Sequence, residues 1–394
     1  MKKKICIATG SRSEYGLLKP LIDKITEENQ WDVQLLITGM HLSPEYGNTF
    51  QQINVDGVIG SKKIEMLVSS DTPIGVVKSM GVGLIGFADA LSELQPDLLI
   101  VLGDRFEMLA VVQAALIFKI PVAHIHGGEV TEGAYDNAIR HAITKMSHLH
   151  FTSTELYRQR VIQMGEEPGH VFNVGALGLD NIYNNHFLSK KELEKELEIT
   201  FKKYNYLVTY HPVTLSDKSS SSEFGQLLLA IRRQEDSCFI FTKSNADNGG
   251  KVIDKMIDDF VRSNPENAVA FTSMGSFLYL SAMRHVDAVI GNSSSGIIEA
   301  PSCKIATINI GDRQKGRVQA NTVVNCLAKE DIIAQAFEHV KSSEFKNFVK
   351  EEARNPYGEG QTAQKIVQQL KRIDWDNLAI KKFFDFNTTF NPAI

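Results

Sequence analysis

The sequence predicts an α/β protein of two doubly wound domains whose parallel sheets face each other across a cleft. Three observations carry this. Short apolar runs alternate with helical patterns through both halves of the 394 residues. The runs are continuous rather than polar-apolar alternations, which fits strands buried on both faces. A polar, helix-forming run, NNHFLSKKELEKELEIT (184–200), separates the two series. A chain of this length usually divides between two cores. We therefore place domains at 1–180 and 181–361, with a C-terminal helix over about 362–385 packing back on the first.

In the first half the predicted strands are KICIATG (4–10), VQLLITG (33–39), DLLIVLGD (97–104), PVAHIHGG (121–128) and LHFTST (149–154). Helical patterns lie between them, as in EYGLLKPLIDKITEE (14–28) and RFEMLAVVQAALIFK (105–119). Strand, helix, strand in repetition implies right-handed crossovers. The second half repeats the rhythm with YLVTYHP (206–212), CFIFTK (238–243), AVAFTS (268–273), DAVIGNS (287–293) and KIATINIG (304–311). SDKSSSSEF (216–224) reads as a short polar loop, and TAQKIVQQLKRI (362–373) has apolar residues at helical spacing. Ligands of open α/β sheets sit outside the carboxyl ends of the strands, so the cleft between domains is the expected site.

Composition narrows the function classes. The chain is 43% hydrophobic and 23% charged, with formal net charge −5 and its Lys and Arg spread out. That argues against a nucleic-acid partner held by phosphate contacts. Cys6, Cys238, Cys303 and Cys326 form no CxxC pair and read as reduced residues of a cytoplasmic protein. MKKKICIATG reads as a buried first strand rather than a signal peptide, and no apolar stretch reads as long enough to span a bilayer.

The motifs fall where predicted strands end. In TGSRSEYG (9–16), Ser11 and Arg12 stand at a helix amino end. They form either part of an anion site or a capped helix start with a solvent-facing arginine. Neither a GxGxxG fingerprint nor a Walker lysine is present. VLGDRFE (101–107) ends in Asp104-Arg105; the carboxylate either caps the next helix or serves in the cleft.

PVAHIHGGEVTEGAYDNAIRHA (121–142) is the densest run, with His124, His126, Glu129, Glu132, Asp136, Arg140 and His141. Gly127 and Gly128 would let the backbone approach a ligand. Asp136 and Arg140 share a helix face, which by itself is worth only tenths of a kcal/mol as an ion pair. No HExxH or other ligand spacing signals a metal.

In the second half His211 follows a strand. IGNSSSGIIEAP (290–301) sets Asn292, Ser293, Ser294 and Gly296 before a helix carrying Glu299, a phosphate cradle by its hydroxyls and backbone N–H groups. NIGDRQKGR (309–317) adds Arg313 and Arg317, suited to a diphosphate.

Together GSRSEYG, TGMHLSPEYG, LGDRFE, HIHGGE, DNAIRHAITKMSH, HPVT, IGNSSSGIIEA and NIGDRQKGR resemble the UDP-N-acetylglucosamine 2-epimerase family, especially its hydrolysing branch in sialic and related nonulosonic acid synthesis. They run through nearly the whole chain in the family's order. The resemblance implies the two-domain glycosyltransferase type B fold, of two Rossmann-like domains. It also implies a reaction needing no nicotinamide and no metal. A base takes the proton on carbon 2 while UDP leaves carbon 1; water then adds to the glycal and frees the manno sugar.

Carried over by position, Asp104 and Asp136 are implied in proton transfer and His211 at the nucleotide and sugar site. Ser293 and Ser294 would hold phosphate, Glu299 the ribose, and Arg313 and Arg12 the diphosphate. His41, Arg105, Arg140, Asn292 and Gly296 join the substrate-binding set. Many members carry a catalytic glutamate where His126 stands, so His126 or Glu129 must take that role. The family lysine five residues after the motif arginine is replaced by Leu17.

The implied substrate is UDP-N-acetylglucosamine or, as an alternative, UDP-2,4-diacetamido-2,4,6-trideoxyglucose of the legionaminic acid route. TGMHLSPEYG and SMGVGLIGFADA (79–90) are expected along the sugar pocket. A type B glycosyltransferase shares the fold and the UDP site but has no need of several acidic groups at carbon 2. A non-catalytic nucleotide-sugar sensor has no use for Asp104 and Asp136. A homodimer or higher homo-oligomer is the default assembly.

Overall fold

The computed structural model describes residues 2–55, 61–68, 72–131, 135–184, 186–212, 220–243 and 250–385. Glu132, Val213 and Thr214 of HPVT, and 216–219 of the polar loop lie outside the described residues.

Strands β1 (Lys3–Thr9), β2 (Trp31–Thr38), β3 (Ser61–Ile64), β4 (Leu98–Leu102), β5 (Val122–Ile125), β6 (Leu149–Thr152) and β7 (Val171–Asn173) form one sheet. Its order is β3-β2-β1-β4-β5-β6-β7, with every neighbouring pair parallel. A second parallel sheet joins β8 (Tyr204–Thr209), β9 (Ser237–Thr242), β10 (Ala268–Phe271), β11 (Ala288–Gly291), β12 (Ala306–Ile310) and β13 (Val323–Cys326) in the order β10-β9-β8-β11-β12-β13. These are the two doubly wound, Rossmann-like domains of the type B fold.

Each sheet changes winding direction at its first strand. β1 lies between β2 and β4, and β8 between β9 and β11. The crevices that bind ligands in such sheets therefore open after β1 and β4 and after β8 and β11. Those four strand ends carry Gly10-Ser11, Gly103-Asp104, Tyr210-His211 and Asn292-Ser293.

The sequence reading had not picked out β3, β7 or β13. Each is a sheet edge of three or four residues. Short edge strands need no continuous apolar run, so no such run marks them.

One face of the first sheet packs Ile5, Ile7, Leu35 and Ile100 against Leu18, Leu21 and Ile22 of the Arg12–Thr26 helix. Ala363, Ile366, Val367 and Leu370 of the Thr362–Leu370 helix join the same core, although they come from the far end of the chain. That helix ends well before the expected 385. Trp375 Nε1 donates to the Leu370 carbonyl at 3.0 Å, and the segment beyond is pinned irregularly, Lys381 Nζ lying 2.6 Å from Glu166.

The helix Pro73–Leu94 also changes the sequence reading. By length and composition it could cross a membrane. In the structure Phe87, Leu91 and Leu94 lie in a core with Met66 and Leu99, and Gly83 and Gly86 sit so close to Met66 and Ile64 that a Cβ would collide. Ile74, Val77 and Ile85 remain exposed.

The two domains are joined by packed side chains. The helix Gly178–Asn184 runs through position 180, and its Leu179 and Ile182 pack with second-domain residues such as Leu193, Leu280 and Ile298. Asn181 donates to the Gly16 carbonyl at 2.8 Å.

Candidate active site

A cavity of about 250 Å³ lies where the two winding reversals meet. One wall is built by the loops after β1, β4 and β5, the other by the segments after β8, β11 and β12. Asp104, Arg105, His126, Glu129, Asp136 and Arg140 face it from the first domain; His211, Ser294, Glu299 and Arg313 face it from the second.

The first wall is an interlocked set of charges. Arg140, on the Asp136–Met146 helix, pairs with Asp104 and donates from Nη1 to the His126 carbonyl at 2.8 Å. Its guanidinium is thus turned to residues from two other strand ends. Glu129 accepts from Ser153 Oγ at 2.8 Å and lies 3.2 Å from Arg317 Nη2 and 3.9 Å from Arg140 Nη1. Burial alone would raise its carboxyl, but Arg317 and Arg140, with the Ser153 hydrogen bond, hold it down to about 2. A carboxylate so firmly ionised is a weak base near neutral pH.

His126 takes a different state. Its backbone is left-handed, with φ 64°, a conformation uncommon for a side chain with a Cβ. Nε2 accepts from the Leu177 N–H at 3.2 Å, which assigns the proton of the neutral ring to Nδ1, 3.5 Å from Glu129. Burial lowers the pKa of the ring, so it is neutral at physiological pH.

Other residues of this run are structural. His124 is fully buried; Nε2 donates to the Gly103 carbonyl at 2.7 Å and Nδ1 is 3.0 Å from Thr144 Oγ1. Burial lowers its pKa to about 3. The glycine pair serves packing rather than ligand approach. A Cβ on Gly127 would meet His124 Nδ1 at 3.1 Å, and one on Gly128 would meet the Tyr157 carbonyl at 2.6 Å.

The second wall is mostly neutral. The Asn292 side chain holds the backbone after β8, accepting from His211 N at 2.7 Å and donating to its carbonyl at 2.8 Å. The Asn292 carbonyl accepts from Arg313 Nη1 at 3.0 Å and Gln314 Nε2 at 2.7 Å. Ser293 caps the short helix Ser294–Ile298, and its Oγ lies 3.1 Å from Ser295 Oγ. Gly296 lets that helix settle on β12, since a Cβ there would meet Thr307 at 2.6 Å. Burial pushes the Glu299 carboxyl up to about 8. A carboxyl in that state is mostly protonated at pH 7.

Several expected site residues lie elsewhere. Arg12 faces a separate groove of about 1170 Å³ behind its own helix, with Nη1 3.4 Å from Ser273 Oγ. His41 is buried, fastened between Thr9 Oγ1 at 3.0 Å and Thr49 Oγ1 at 2.8 Å, and its pKa falls to about 4 through burial. Asn292, Ser293 and Gly296 support the second wall from behind. Neither TGMHLSPEYG nor SMGVGLIGFADA lines the cavity.

Arg317, read as a diphosphate ligand, instead reaches back across the cleft. It donates to the Val130 carbonyl at 2.9 Å and pairs with Glu129. Beside it Tyr157 Oη accepts from Val318 N at 2.9 Å, and Tyr357 Oη donates to the Val318 carbonyl at 2.9 Å. These bonds lock the floor of the cleft. Sequence reasoning missed Glu14, which lines the first wall, although the Ser11-to-Glu14 spacing was a visible signal. Among the described residues no group of three or more His, Cys, Asp or Glu could hold a metal ion.

Comparison with known proteins agrees with this fold. A family model described as UDP-N-acetylglucosamine 2-epimerase matches residues 23–371. A Campylobacter jejuni protein named GDP/UDP-N,N'-diacetylbacillosamine 2-epimerase (hydrolyzing) is 43% identical over 98% of this chain and 99% of its own. A Legionella pneumophila protein named UDP-N,N'-diacetylbacillosamine 2-epimerase (hydrolyzing) is 33% identical over 97% and 99%. The fold matches the crystal structure of Neisseria meningitidis UDP-GlcNAc 2-epimerase bound to UDP-GlcNAc, with TM-score 0.77 at 19% identity over 94% of this chain and 100% of that one. The chain belongs to the UDP-N-acetylglucosamine 2-epimerase family.

Proposed function

We propose that the protein is a hydrolysing UDP-sugar 2-epimerase acting in nonulosonic acid synthesis, with UDP-2,4-diacetamido-2,4,6-trideoxyglucose as its substrate. The observation that carries the reaction is the facing of the two walls. Proton-handling groups Asp104, His126 and Asp136 line one side, and Ser294 and Arg313 line the other. Arg313 and Ser294 hold the diphosphate, and the sugar extends toward the first wall. Asp104 or Asp136 takes the carbon 2 proton as the bond from carbon 1 to UDP breaks. Water adds across the resulting double bond with inverted configuration at carbon 2, and the free sugar leaves with UDP.

In this scheme His126 stands in the neutral form that can accept or give a proton, while Glu129 stays ionised and orients His126 and Arg317. Acid–base assistance of this kind contributes about 10²–10⁴-fold, and fixed donors on the diphosphate add to it. The choice of substrate rests on the two relatives at 43% and 33% identity, both named for the diacetylated sugar. UDP-N-acetylglucosamine is the second reading, favoured by the family description and by a Neisseria meningitidis relative of that name at 28% identity.

Proton NMR of the protein with each UDP-sugar in deuterated water tests both. Release of UDP with a free 2-epimerised sugar deuterated at carbon 2 is expected from the diacetamido substrate. Retention of UDP on the sugar would instead mark a non-hydrolysing epimerase, and inertness toward both would revive a glycosyltransferase.

A further inference from the structure

The first wall holds one carboxyl that the proposed reaction does not use. Glu14 lies in the first turn of the Arg12–Thr26 helix, only 6% exposed, beside Ser11, Ser13 and Asp104 in the cavity lining. The spacing from Ser11 to Glu14 is that of a capping box, and Ser11 Oγ does accept from Glu14 N at 3.3 Å. The return half of the box is shifted: Glu14 Oε2 accepts from Gly10 N at 2.5 Å. Capping therefore occupies one oxygen. The other, Oε1, is buried and has no hydrogen-bond partner among the described residues.

A buried, unpartnered carboxyl oxygen is costly, and natural structures retain such groups where a ligand completes them. The charges around Glu14 bear on its state. Glu107, fully buried, takes Arg105 in a two-point pair at 3.1 and 2.8 Å, and Asp104 takes Arg140. Among the described residues no cation forms a salt bridge with Glu14. It is an acid beside two carboxylates whose cations are already engaged.

We propose that Glu14 contacts the substrate as a neutral acid, its unpartnered Oε1 carrying a proton that it donates to an acceptor oxygen of the sugar. The acetamido carbonyl is the acceptor that both candidate substrates share. Burial, with Glu107 and Asp104 adding to it against the Gly10 hydrogen bond and the pull of Arg105, raises the carboxyl to about 8, in keeping with that role. The inference rests on the UDP-sugar reading above and adds a residue to it.

Steady-state kinetics of three proteins at pH 7 and pH 9, with calorimetric titration of UDP alone, test it. Glu14→Gln keeps both the acceptor for Gly10 and a donor toward the cleft, so at pH 7 its KM for the UDP-sugar should rise less than that of Glu14→Ala. From pH 7 to pH 9 the wild-type KM should rise about tenfold more than that of Glu14→Gln; the Glu299 carboxyl, also raised to about 8, titrates in both proteins and cancels in that ratio. Glu14→Ala should raise KM about tenfold at pH 7 with the affinity for UDP alone unchanged. KM values that do not move in either variant, or a UDP affinity that falls as far as the sugar affinity, would overturn the role of Glu14. A wild-type protein inert toward every UDP-sugar would sink the reaction itself, and this inference with it.

Discussion

The two walls of the cleft solve the same problem by opposite means. The first is a lattice of charges, in which Arg140, Asp104, Glu129 and Arg317 are paired before any substrate arrives. The second is built of hydroxyls, amides and a neutral Glu299, with Arg313 as its cation toward the cavity. The difference teaches what each wall must hold. Chemistry at an unactivated carbon–hydrogen bond needs groups fixed in defined protonation states. In the proposed reaction the diphosphate leaving group needs donors and positive charge, and further carboxylates there would repel it.

The largest effect should come from breaking the first wall at its reactive point. Asp104→Asn should lower turnover by about 10²–10⁴-fold while the dissociation constant for UDP stays within about twofold, because the change leaves the second wall untouched. Turnover by UDP release and calorimetry with UDP check the two halves; unchanged turnover removes Asp104 from the chemistry.

Arg317→Ala breaks the contact between walls. It leaves Glu129 buried with its nearest cation gone and removes the bond to Val130. Severing a buried pair typically costs about 3–5 kcal/mol, so chemical denaturation should show a loss of that order. A loss near zero would mean that Arg140 and the Ser153 hydrogen bond keep Glu129 ionised without Arg317.

Arg313→Ala acts on the second wall and should weaken UDP binding by about tenfold or more, the worth of a charge-assisted contact, with stability little changed. An unaltered UDP affinity would take Arg313 out of the site. The smallest effect belongs to Glu299→Gln. If the carboxyl is already protonated at pH 7, the amide replaces like with like and UDP affinity should stay within about twofold. A large loss would show instead that substrate binding ionises Glu299, returning it to the acceptor role expected from sequence.

How much of this was legible beforehand varies by residue. Asp104, Asp136, Ser294 and Arg313 were marked by their place after continuous apolar runs, and they do reach the cavity. Arg12 carried the same mark and faces the groove behind its helix, because the side of a helix that a first-turn residue takes depends on what packs there. His41 looked like a ligand and is a fastening between Thr9 and Thr49. Gly127 and Gly128 were read as close approaches to a ligand, and the atoms that crowd them belong to the protein instead.

The sequence by itself determined the two sheets and their winding, since buried parallel strands must read as uninterrupted apolar runs separated by amphipathic helices. It also marked several strand-end residues that meet in the cleft, such as Asp104, His211 and Arg313, while the switch points followed from the strand order of the fold. Only the tertiary structure decided the pairings. Arg140 and Asp104 are 36 positions apart, and Arg317 and Glu129 come from different domains. Protonation followed from the same source. Glu129, Glu14 and Glu299 are one residue type, held at about 2, 8 and 8 by burial set against the cations within reach. Distance and burial are properties of the folded molecule, and no spacing along the chain encodes them.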